Sequence, residues 1–185
     1  MTILTSIRAD RDAALRHKPL SAFPYVSLTE VEKMIEGIWD AHGRRDAPSE
    51  MTDVESVLAY ITDEPEGESY RDAIELLIVD GWELIGCGTS RAVFVKRGGS
   101  VVAKVPINLI GVYQCVREYE HHVEHGKDGE IPIADCSLDD RYFIEWMERV
   151  EPWEPGDGKL PLWTRLVDGA QVGYDRSGTL VAYDL

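Results

Sequence analysis

The spacing of apolar residues changes at Trp82, and that change restricts the fold more than any other feature of the chain. Before it the spacing is helical. Val31, Met34, Ile35, Ile38, Trp39 and His42 form a stripe behind the capping-box pattern Ser27-Leu-Thr-Glu30, with Gly43 as its stop. Thr52-Asp-Val-Glu55 repeats the pattern ahead of Val54, Val57, Leu58 and Ile61, and Tyr70, Ala73, Ile74, Leu77 and Ile78 make a third stripe ended by Gly81. A weaker helix is expected over 5–17. Such short helices are marginal alone, so their apolar faces need a common surface to bury.

After Trp82 the apolar residues take strand spacing. Strands are expected at 82–85, 92–95 and 101–103, with Arg97-Gly-Gly-Ser100 as a turn between the last two. A helix is expected from Leu109 to His125, ended by Gly126. Strands at 131–136 and 142–150 follow, with a turn at 137–140. A Pro/Gly loop covers 151–159, and a last hairpin runs from Val172 to Asp184 with Asp175-Arg-Ser-Gly178 at its tip. The expected architecture is α+β. A helical N-terminal segment, 1–81, packs on an antiparallel sheet with one crossing helix and a C-terminal β-hairpin, 82–185.

Composition narrows the function classes. A net charge of −15 opposes phosphate neutralisation, so no direct nucleic-acid binding is expected. The acids alternate with Lys and Arg, as on a solvated surface, and an acidic DNA-mimicking inhibitor is the sharper alternative. No apolar run reaches the roughly 20 residues that cross a bilayer, so no membrane partner is expected. The residues before Pro19 lack the apolar stretch of a secretory signal. Cys87, Cys115 and Cys136 include no CxxC pair, which fits reduced thiols and a cytoplasmic location.

Two features carry chemistry. Gly86-Cys-Gly88-Thr-Ser-Arg-Ala-Val93 joins two strands. It has neither the third glycine and following helix of a dinucleotide fingerprint nor the Gly-Lys-Ser/Thr of a P-loop, and instead suits a flap whose backbone N–H groups approach an anion. Lys104 lies inside the apolar strand Val101-Val-Ala-Lys-Val-Pro106, where an ammonium is costly unless an anion meets it. Glu118 on the following helix, with Gln114 one turn before it, is the expected partner; Glu120 is the rival, because the helix rotation is not readable from sequence. His121, His122 and His125 contain an i, i+4 pair that could ligate a metal, but Glu118 and Glu124 alongside favour a solvated helix face.

Together these residues resemble the small lobe of protein kinases: Gly86-x-Gly88…Val93, Val-Ala-Lys104, a helix glutamate, then Phe143-Ile-Glu-Trp-Met147-Glu148-Arg-Val150. The resemblance implies that the glycine turn covers nucleotide phosphates and that Lys104 contacts them and pairs with Glu118. It further implies that Met147, Glu148 and Arg149 form a hinge facing adenine, with Trp146 guarding the back of the pocket. Residues from Asp168 to Leu185 are similar to the catalytic loop and metal-binding hairpin of short bacterial and viral kinase-like proteins, with Asp184 as the magnesium aspartate.

The departures from that family are specific. Gln171 stands where the second metal ligand is asparagine, and Leu166 where the catalytic aspartate is expected, leaving Asp168 as the nearby substitute base. The sequence stops one residue after Asp184, so no activation segment or large-lobe helices are expected. The expected function is therefore that of a catalytically degenerate, pseudokinase-like protein that binds another protein. By analogy it would be a phage or archaeal-virus accessory or virion protein, in the host cytoplasm or the particle. A minimal ATP-dependent phosphotransferase, using Lys104, Glu118, Asp168 and Asp184, is the alternative. The cofactor set is accordingly ATP with magnesium, or none.

Overall fold

The computed structural model describes residues 51–61, 67–139, 141–167, 169 and 171–185. The stripe at 31–42, the helix expected over 5–17 and Asp168 lie outside these residues. Helix α1, Val54–Ile61, starts behind Asp53, whose carboxylate accepts from the Ser56 N–H at 2.8 Å. The cap is thus one residue later than the Thr52 box predicts; either side chain can hold an otherwise unpaired first-turn N–H. Helix α2, Gly67–Val79, ends at Gly81, whose φ of 81° only glycine adopts without strain and whose N–H closes on the Ile78 carbonyl.

Strands β1 (Trp82–Cys87), β2 (Arg91–Lys96) and β3 (Val101–Pro106) form a meander, followed by helix α3 (Leu109–His125), then β4 (Cys136–Leu138) and β5 (Glu145–Glu148). The sheet is antiparallel throughout, in the order β1-β2-β3-β5-β4. The fourth expected strand is displaced toward the C-terminus. Ile133 makes only an isolated bridge to Ala182, and pairing begins at Cys136, so Ser137 lies in the strand rather than in the turn. Pro132 explains the delay, because proline has no N–H for a ladder.

Residues paired across strands share a face of the sheet. Phe94, Ala103 and Trp146 lie in one such row; Val93, Lys104 and Glu145 lie in the adjacent row, on the opposite face. Phe94, Ala103 and Trp146 are buried in one apolar core with Val57 and Ile61 of α1 and Ala73, Ile74 and Leu77 of α2. Residues on both sides of Trp82 therefore bury their apolar faces together. Trp82 itself packs edge-on against Trp146, with ring centroids 5.3 Å apart.

The second sheet is small, in the order β6-β7-β8, from Glu151–Pro152, Val172–Tyr174 and Leu180–Ala182. The hairpin expected at 172–184 is there, and β6 is an addition drawn from the Pro/Gly loop. Gly173 allows it: a Cβ there would lie 2.5 Å from the Glu151 carbonyl oxygen. Lys127, just past α3, ties this hairpin to the main sheet. Its ammonium reaches Glu148 and Asp175, each at 2.6 Å, and Asp135 at 3.2 Å.

Candidate functional site

The start of α3 is clamped to the glycine turn. Asn108 caps the helix by accepting from the Gly111 N–H at 3.1 Å, while its amide donates to the Thr89 carbonyl at 2.9 Å. Gly111 lets the two backbones approach so closely that a Cβ would stand 2.1 Å from the Ser90 carbonyl oxygen. One turn further on, Gln114 accepts from the Ser90 hydroxyl. One more turn brings Glu118 under the sheet, on the face that carries Lys104.

There Lys104 and Glu118 meet at 2.5 Å, and Glu118 is fully buried. Glu120, the rival partner, is only partly buried. The Lys104 ammonium also donates to the Tyr183 carbonyl at 2.5 Å and lies 3.6 Å from Glu145. Glu145 is its neighbour across the β3–β5 ladder. Trp146, expected to guard the pocket, instead points to the opposite face of the sheet, because side chains alternate along a strand. The residue beside Lys104 is a buried carboxyl.

The sequence reading passed over Arg91, which occupies the third-glycine position of a Gly-x-Gly-x-x-Gly pattern. Its guanidinium, 6% exposed, donates to Glu118 at 2.8 Å, lies 3.5 Å from Glu145 and pairs with Asp184. A cation opening a strand whose next residues are Ala-Val-Phe-Val was the available signal. The Leu185 N–H completes the set, donating to Glu118 at 3.1 Å. Five ionisable side chains from β2, β3, α3, β5 and the segment after β8 thus converge.

Burial and charge divide the carboxyls. Burial alone would raise Glu118, but Lys104 and Arg91 outweigh it and hold this group well below the usual carboxylate range. Glu145 has weaker contacts. Burial, reinforced by the charge of Glu118, pushes it up to about 8 against the opposing pull of Lys104 and Arg91. Among the described residues its Oε1 atom has no hydrogen-bond partner. Burial also raises Asp184, with Arg91 and Lys104 opposing. The same dry surroundings push the Cys115 thiol up to about 12, which favours its protonated form.

The remaining sequence-predicted residues are placed as follows. Gly86 pairs with Val93, next to a bulge at Ile85, and the Gly88 N–H closes the turn on the Arg91 carbonyl. Met147 is fully buried in β5. The N–H groups of Glu148 and Arg149 already donate to the Asp135 and Ser100 carbonyls, at 2.8 and 2.9 Å. The Glu148 side chain is held by Lys127. The Gln171 carbonyl accepts from the Tyr183 N–H at 3.0 Å. Leu166 is 66% exposed in a 3-10 turn, Leu162–Leu166.

Two further chemical readings can be placed. The rings of His121 and His125 are 4.9 Å apart, and His121 is engaged by the Ile131 carbonyl at 3.0 Å. Among the described residues no His, Cys, Asp or Glu group is arranged to hold a metal. Asp184 faces the Arg91 guanidinium, and Glu118 faces both Arg91 and the Lys104 ammonium. The three cysteines are free thiols, and no helix among the described residues is long and apolar enough to cross a membrane. Compared with protein-family models, with curated proteins and with solved structures, the chain matches none.

Proposed function

We propose that the protein is a catalytically degenerate, kinase-like scaffold that acts by binding another protein. The observation that carries this reading is the position of Arg91: a protein cation engages Glu118 and Asp184, the two carboxylates on which a kinase-like site would depend. Support for the kinase-like part is the antiparallel five-stranded sheet with one helix between its third and fourth strands, and a strand lysine paired with a glutamate of that helix. Support for the degenerate part is that Arg91 engages Asp184, that Lys104 also donates to the Tyr183 carbonyl, and that the hinge N–H groups of Glu148 and Arg149 have protein partners. Phosphoryl transfer is mostly positioning and charge stabilisation, so cations and carboxylates that neutralise one another contribute little to it.

For the binding role the support is on the surface. Leu162 and Leu166, 78% and 66% exposed, project from one turn of an otherwise acidic protein. The test is radiolabelled ATP with magnesium or manganese, with and without host lysate, using wild type, Lys104→Ala and Asp184→Ala. The expected result is no transfer in any lane. Transfer by wild type that both substitutions abolish would overturn the reading in favour of a minimal phosphotransferase. Replacing both Leu162 and Leu166 by Asp should release a partner captured by the wild type.

A further inference from the structure

The turn Leu162–Leu166 is apolar on two sides. Its inner side is fixed to the small sheet: Leu160 and Trp163, partly buried, pack against the buried Val167, Val172 of β7 and Ala182 of β8. Its backbone is fixed by hydrogen bonds. Buried Thr164 donates to the Pro161 carbonyl from its hydroxyl at 2.9 Å and from its N–H at 3.2 Å, and the Val167 N–H closes on the Thr164 carbonyl. An element pinned on one side ordinarily turns polar groups outward. Here Leu162 and Leu166 are left outside, with Arg165 between them.

The charge beside the leucines has the minority sign. The chain has 34 acids against 19 lysines and arginines, yet Gly158 to Val167 contains no acid. Lys159 and Arg165 are both exposed, and neither has an ion-pair partner among the described residues. Geometry and charge together specify the complement. One five-residue turn offers far less than the roughly 800 Å² per partner of a standard interface, so a flat face gains little from it. A concave apolar groove encloses two such side chains, and a turn already held rigid loses little freedom on entering. Lys159 and Arg165 then favour carboxylates at the rim of that groove and oppose cations there. An anionic bilayer also accepts leucine beside lysine and arginine, but a net charge of −15 opposes it, as it opposes a second copy of the chain.

We propose that this turn docks into an acid-rimmed apolar groove of a different protein, with Leu162 and Leu166 as the anchors and Lys159 and Arg165 as the charges that orient them. The inference rests on the protein-binding reading above and adds to it the chemistry of the partner's surface.

The experiment places the apolar photo-cross-linker benzoylphenylalanine at position 162, at 166 or, on exposed Val123 of α3, at 123 as a control, each in the whole chain. Each protein is irradiated in lysate of the source cells, the cross-linked protein is identified and purified, and its binding is titrated at low and high salt. Cross-links are expected from 162 and 166 to a surface with Asp and Glu around an apolar groove. Lys159→Glu with Arg165→Glu, and separately Leu162→Asp with Leu166→Asp, should each weaken binding about tenfold or more, and high salt should weaken wild type. All four positions are exposed, so both double variants should keep the wild-type melting temperature. Binding that charge reversal leaves unchanged would overturn the proposal. So would cross-links between two copies, or wild-type binding to phosphatidylglycerol vesicles that the Asp variant loses. A partner cross-linked through 123 alone would overturn this docking turn and leave the protein-binding reading standing; no cross-link at any position would count against both.

Discussion

Arg91 and Asp184, 93 residues apart in sequence, are joined as an ion pair, and the same guanidinium holds Glu118. The pair links the second strand of the large sheet to the segment leaving the small one.

Replacing Arg91 should therefore be among the most damaging single changes. Arg91→Ala leaves three carboxyls facing Lys104 alone, and stranding buried charge costs about 3–5 kcal/mol. Arg91→Lys should recover only part of this, since an ammonium lacks the fork that reaches two carboxylates. Urea unfolding of the three proteins measures the differences; Arg91→Ala within about 0.5 kcal/mol of wild type, the usual range for a surface change, would refute the cluster's importance.

Glu145 should give the protein a distinctive pH profile. Its folded pKa, about 8, lies above the ordinary 4.5, so between these values the folded state keeps a proton that the unfolded chain releases. Stability should fall as pH rises through that window and level off above it. Asp184, also raised, adds the same sign at its acidic end. Glu145→Gln mimics the protonated acid and should flatten most of the slope. Melting temperatures from pH 5 to 9 test this, and an unchanged slope in the variant would assign the effect elsewhere.

Gly111→Ala should loosen the glycine turn from α3. The added methyl would meet the Ser90 carbonyl oxygen at 2.1 Å, an approach that backbone atoms must shift to relieve. Overpacking of this kind typically costs about 1–3 kcal/mol. Faster hydrogen exchange at Thr89–Arg91, along with the lost stability, is the expected signature.

The helices before Trp82 should not separate from the sheet on unfolding. Ile74→Ala in α2 should cost about 2–5 kcal/mol and shift tryptophan fluorescence and far-ultraviolet dichroism together, because Ile74 and Trp82 lie in one core. Two resolved transitions, or a stable proteolytic fragment beginning near Trp82, would contradict this.

Periodicity made the regular elements readable. The limits of α3, from Leu109 to the glycine at 126, emerge from apolar spacing and one stop signal. Lys104 was legible because a lone ammonium among valines and alanine demands an anion. What periodicity could not reveal was rotation and facing. Glu118 and Glu120 are distinguished only by how α3 turns against β3. Trp146 looked like a pocket residue until the β3–β5 register placed Glu145 beside Lys104. Arg91 was hidden for another reason: a strand-initial arginine ordinarily reaches solvent, and its partner Asp184 arrives from a distant hairpin that local sequence cannot position.

The alternation that places Lys104 opposite Glu145 and Ala103 opposite Trp146 also guards the alignment of the sheet. Sliding β5 by one residue along β3 would carry Glu145 into the apolar layer beside Ala103 and bring Trp146 among the charges. Each error would be severe, and the two occur together. An all-apolar pair of strands would tolerate such a slip far better, since Val, Ala and Met exchange places at small cost. The buried charges thus act as a key that lets β3 and β5 meet in only one alignment, whatever their net contribution to stability.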